Sequence, residues 1–102
     1  MNKYEYKYLT LLKQLVLKQY KPYRCRIFLF GSRAKGFNKR GSDYDIGISG
    51  LDSDMFHTLK SRLLYEVEES IIPYRLDIVN FDEADENFKE KAMGNIKEWK
   101  KF

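Results

Sequence analysis

The sequence predicts a small α/β (α+β) domain: a mixed β-sheet with helices packed on one face, in the order α-β-β-α-β-α. Three observations carry this. Two stretches, Tyr4 to Tyr20 and Phe56 to Ser70, repeat apolar residues at helical spacing. Short apolar runs closed by glycine or flanked by proline separate them, which is the pattern of strands. A composition of 43% hydrophobic and 16% aromatic residues over 102 positions suffices to bury a core. No internal repeat, low-complexity tract or linker interrupts the chain, so residues 1–102 are read as a single domain.

The elements follow in order. In the first helix Tyr8, Leu12, Leu15, Val16 and Gln19 share one side, while Lys7, Lys13, Lys18 and Lys21 lie mostly elsewhere. Its tyrosines are expected in core and rim. Pro22 pushes Lys21 out of the α region and ends the helix. Arg24 to Phe30 is the first strand, closed by Gly31, and Asp43 to Ser49 the second, closed by Gly50. Asp52, Ser53 and Asp54 offer capping oxygens to a helix whose buried stripe is Phe56, Leu59, Leu63, Leu64, Val67 and Ile71. His57 is expected on its surface. Tyr74 to Phe81 is the third strand, with Leu76 and Ile78 on one face and Arg75, Asp77 and Val79 on the other. Asp82 to Phe102 is read as helical, with Ala84, Phe88, Ala92, Ile96 and Trp99 as its stripe. Gly94 is a point where that helix can break into a short extended tail.

Several classes of protein are excluded. The longest apolar run, Ile27 to Phe30, is far too short to span a bilayer, and the N-terminus has no signal-peptide apolar region. Cys25 is the one cysteine and sits in a strand-like run, so it is expected in the core and the compartment is read as cytoplasmic. Net charge is +4 but uneven. Residues 1–41 carry 11 Lys/Arg against Glu5 alone, and residues 42–102 carry 8 against 14 acids. The basic half suits nucleotide triphosphates, RNA or an acidic partner. No base-reading motif accompanies it, so direct nucleic-acid binding is not expected.

The stretch from Gly31 to Asp45 carries the chemistry. Gly31 and Gly36 let backbone N–H groups approach an anion closely, Ser32 adds a hydroxyl, and Arg33, Lys35, Lys39 and Arg40 add positive charge. Ten residues after Gly31-Ser32 come Asp43 and Asp45, which as i and i+2 on a strand project from one face. Paired carboxylates repel unless a cation lies between them, and oxygen ligands of this kind suit Mg²⁺ with substrate phosphate completing its shell. Asp77 is out of place in a strand interior. It either pairs with Arg75 or joins Asp43 and Asp45 as a third metal-site carboxylate.

Gly31-Ser32, ten residues, then Asp43-Tyr44-Asp45 resembles the signature of the DNA polymerase β-like nucleotidyltransferase superfamily. The surrounding Phe30 to Gly36 and Ser42 to Ile46 are similar to its minimal members, the MNT proteins, often paired with HEPN-domain toxins. The resemblance covers almost the whole chain. It implies a polymerase β-like nucleotidyltransferase core in which Gly31 and Ser32 hold the triphosphate of ATP or another NTP. Asp43 and Asp45 match the acids that bind two Mg²⁺ ions. Asp77 matches the third acid, which helps hold one metal and deprotonate the incoming hydroxyl. Arg33, Lys35 and Gly36 match the loop of the minimal group. The chain carries no extra domain of the kind larger members use to bind nucleic acid or antibiotic, so a partner supplies or is the acceptor. The implied activity is transfer of AMP to a tyrosine of a HEPN toxin, blocking it. The alternative is an antitoxin that neutralises the HEPN ribonuclease by docking alone, through aromatic positions Tyr4, Trp99 and Phe102.

Overall fold

The structure, a computed structural model, describes residues 3–34 and 43–102, and of Ser32 and Arg33 the backbone alone. Its elements are α1 (Lys3–Tyr20), β1 (Arg26–Phe30), α2 (Gly31–Ala34), β2 (Tyr44–Ser49), α3 (Ser53–Glu68), β3 (Leu76–Asn80), α4 (Glu86–Met93) and β4 (Lys97–Lys100). The sheet has the order β3-β2-β1-β4. β1 runs antiparallel to both neighbours, and β2 pairs with β3 in parallel. A parallel pair needs a crossover, and α3 provides it.

Strand alternation sorts the side chains into two layers. Ile27 and Leu29, Ile46 and Ile48, and Ile78 turn to the face covered by α1 and α3, where Leu12, Val16, Leu59 and Leu63 meet them. Gln19 Nε2 donates to the Leu59 carbonyl at 2.6 Å and ties the two helices together. The residues one position out of phase turn to the opposite face. There Phe28, Phe30 and Phe81 form a second, smaller cluster. The Phe28 and Phe81 rings meet edge to face at 4.7 Å. Gly47 lies under them, and a methyl group in its place would run into both rings.

The long helices behave as the periodicity predicts, with differences at their margins. The Asp52 carboxylate caps α3 by accepting from the Met55 N–H at 2.8 Å. His57 is exposed, as expected. Leu64 and Ile71, assigned to the buried stripe, are instead exposed, and Ile72 turns inward. Tyr4 and Tyr6 are not core or rim either: they are 71% and 67% exposed, while Tyr20 is fully buried.

The C-terminal region departs most from a single helix. α4 stops at Met93, and the chain beyond Gly94 becomes an edge strand on β1, which realises the break expected there. This adds a fourth strand to the three expected. Arg26 Nε and Nη2 each donate to a Glu98 carboxylate oxygen at 2.8 Å. The Lys100 ammonium donates to the carbonyls of Tyr23 and Cys25 at 2.7 and 2.9 Å. The intended stripe is thereby divided: Ala92 and Ile96 pack on the phenylalanine cluster, whereas Trp99 packs on the main core. α4 therefore covers part of the face opposite α1 and α3, where all helices were expected on one side. Trp99 is half-buried, so of the three aromatic positions named for docking only Tyr4 and Phe102 are exposed.

Candidate active site

The site candidates gather at one end of the sheet. β1 delivers the chain to Gly31 opposite the start of β2, with Phe30 paired to Asp45. β2 and β3 run side by side, and their register sets Asp45 directly beside Asp77. Both side chains project from the face opposite α1 and α3, because Tyr44 and Ile46 on one strand and Leu76 and Ile78 on the other turn into the main core. Asp43, just before β2, is exposed, as is Asp77, while Asp45 is half-buried.

Asp45 is the electrostatic centre of the group. Burial raises its carboxyl above the usual range, and the charges of Asp77 and then Asp43 raise it further. Among the described residues Asp77 has no ion pair with Arg75, so the pairing alternative for this strand aspartate is not what the structure displays. Gly31 adopts φ +76°, a conformation that favours glycine, and a Cβ there would collide with the Asp45 carboxylate. The turn after β1 thus rests directly on Asp45. Ser32 lies in the backbone of α2, immediately after Gly31, and Arg33 follows it. Lys35 and Gly36 lie outside the described residues.

The donor set fits a divalent cation. All three ligand candidates are carboxylates, two of them in direct register, and Asp45 is loaded with negative charge that a divalent ion would relieve. Among the described residues no three His, Cys, Asp or Glu side chains are grouped closely enough to hold a metal ion by themselves; the fold supplies two carboxylates in register with a third nearby. An open set of this kind suits Mg²⁺, which retains waters and takes substrate phosphate as ligand. Beside Asp43 opens a cavity of about 370 Å³ walled by Leu64, Tyr74 and Arg75. These residues were assigned to a helix stripe, a strand and a possible ion pair. Their one signal in the sequence is Arg75 standing two positions before Asp77.

An open acid site beside a glycine turn, on a mixed sheet backed by two helices, defines a nucleotidyltransferase core. The chain belongs to that family: the sequence pattern of polymerase beta nucleotidyltransferases matches residues 13–98. More particularly, it is 33% identical over 81 residues to a probable protein adenylyltransferase MntA of Haemophilus influenzae. That match takes in 79% of this chain and 65% of the relative, so the chain spans somewhat less than two thirds of that protein's length. A crystal structure of a toxin–antitoxin with AMP-PNP superposes with a TM-score of 0.66 at 21% identity, covering 88% of this chain and 73% of that one. An MNT antitoxin in complex with a tri-AMPylated Shewanella oneidensis HEPN toxin gives 0.63 at 18% identity, covering 91% and 72%. At these identities the structural matches establish the fold. Among the described residues no helix is long and apolar enough to cross a membrane.

Proposed function

We propose that this chain is a Mg²⁺-dependent nucleotidyltransferase that moves AMP from ATP to a hydroxyl, the acceptor being a tyrosine of a HEPN-domain toxin. It would act as the antitoxin of the pair, in the cytoplasm. The observation that carries this is the direct pairing of Asp45 with Asp77 beside the Gly31 turn. The relative in Haemophilus influenzae, a probable protein adenylyltransferase, supports AMP and a protein acceptor. The toxin–antitoxin complexes of the same fold support the partner.

In this reading Gly31 and Ser32, with Arg33, Lys35 and Gly36, hold the triphosphate at the end of β1. Asp43, Asp45 and Asp77 hold the two Mg²⁺ ions, which when bound neutralise charge at the α-phosphate and on the leaving oxygen. The acceptor hydroxyl attacks the α-phosphorus, and the bond to the β-phosphate oxygen breaks. Pyrophosphate departs with that electron pair, and Asp77, exposed on the edge strand β3, takes the hydroxyl proton. The protein contributes position and fixed charge rather than a covalent intermediate.

The test is transfer of label from α-labelled ATP to a HEPN-domain protein encoded beside this chain. Labelling should require Mg²⁺ and fall at least a hundredfold in Asp45→Asn. Equal labelling by wild type and Asp45→Asn would overturn the proposal. Docking alone would become the better reading if an Asp43→Asn/Asp45→Asn double variant still protected cells from the toxin.

A further inference from the structure

The proposed reaction leaves the basic, aromatic surface of α1 unused. Lys3, Tyr6, Lys7, Thr10 and Lys13 recur at three- and four-residue steps, so they form one stripe along the flank of the buried Leu12 and Val16. Two adjoining grooves, of about 570 and 540 Å³, run along it and share Tyr6 and Thr10. The first is flanked by Tyr4, and the second is closed by Lys97 and Trp99 of β4. Lys3 to Lys13 spans roughly 15 Å of helix, the reach of a few nucleotides.

Among the described residues no acid is ion-paired with Lys3, Lys7, Lys13 or Lys97. Glu98 lines the second groove but is held by the Arg26 guanidinium at 2.8 Å. Glu5, the one acid of α1, lines neither groove. Four lysines therefore face solvent beside exposed tyrosine rings. Lysine is depleted at protein–protein interfaces. Lysines interleaved with flat rings instead suit a flexible polyanion whose bases can stack.

We propose that this groove binds single-stranded nucleic acid without base specificity, the lysines contacting phosphates and the exposed rings of Tyr4 and Tyr6 stacking on bases, with half-buried Trp99 forming part of the groove wall. No base-reading motif is required for contacts of this kind. The site is separate from the acid cluster, which projects from the opposite face of the sheet, and it stands independently of the proposed transfer reaction.

The experiment is fluorescence anisotropy of a fluorescein-labelled U12 RNA with the full chain, together with emission from Trp99, the one tryptophan. Binding should be micromolar at low salt, with a log–log salt slope of about −2 to −3. Lys7→Glu/Lys97→Glu should weaken it at least tenfold, and Tyr6→Ala about tenfold with the slope unchanged. Trp99 emission should be quenched, and Arg62→Glu on α3 should change the Kd less than twofold. These side chains are exposed, and circular dichroism checks that each variant folds. A flat binding curve at low salt overturns the proposal. So does an Arg62→Glu loss matching that of the double variant, or binding without quenching that ignores Tyr6→Ala. If polyglutamate of matched charge displaces the RNA as well as unlabelled U12 does, the groove takes an acidic protein segment and the nucleic-acid assignment falls.

Discussion

At Gly31 one backbone angle and one carboxylate decide each other's position. A φ of +76° strains any side chain with a Cβ, and the space that Cβ would fill holds the Asp45 carboxylate. Gly31→Ala should therefore lower stability by about 1–2 kcal/mol for the backbone alone. It must also move Asp45, so activity should fall by more than the folded fraction does. Urea unfolding and label transfer, measured on the same preparation, separate the two effects. Loss of transfer no greater than loss of folded protein would show that Gly31 serves the fold only. Gly31, Asp43 and Asp45 were legible in the sequence because each is chemically conspicuous: a glycine closing an apolar run, and carboxylates entering one. The contact between Gly31 and Asp45 was not legible, since it depends on the pairing of Phe30 with Asp45 across two strands.

Among the elements, β4 shows what local pattern misses. Lys97 to Lys100 contains no β-branched residue, and a helical continuation of α4 fits its composition as well as a strand does. What makes it a strand is non-local: the free edge of β1, the Arg26–Glu98 pair and the seat of Trp99 on the core. The three other strands declared themselves through apolar runs with clear stops. The exposure of Leu64 and Tyr6 could not be read at all, because helical spacing assigns a face without saying what covers it. Arg26 hydrogen bonding and charge hold the Glu98 carboxyl below its usual range, while its partial burial acts against them. A carboxyl lowered in the folded state stabilises the fold above the unfolded-state value. That contribution is lost as pH falls through the lowered value. Glu98→Gln should thus cost about 0.5–1 kcal/mol near neutrality, less in high salt, with the difference vanishing in acid. Denaturation midpoints across pH 3 to 7 check this, and a deficit that persists below the carboxylate range would assign the loss to packing.

At the scale of the molecule, the proposed site is where three parts of the chain far apart in sequence meet at one end of a sheet. The unfolded chain does not hold Asp77 beside Asp45, so the repulsion between them burdens only the folded state. A cation that binds there binds only the folded state, and adds RT ln(1 + [L]/Kd) to stability. Two linked outcomes follow. In metal-free buffer Asp45→Asn should be more stable than wild type, because one of the crowded charges is gone. On titration with Mg²⁺ the wild type should gain, by about 2.7 kcal/mol at a hundredfold excess over Kd, and overtake the variant, which gains far less. Melting curves of both chains over a Mg²⁺ series, repeated with a non-hydrolysable ATP analogue, supply the measurement. The cation reading requires the order of stabilities to cross. If Mg²⁺ raises both curves equally, the ion sits elsewhere and these three aspartates do not bind it.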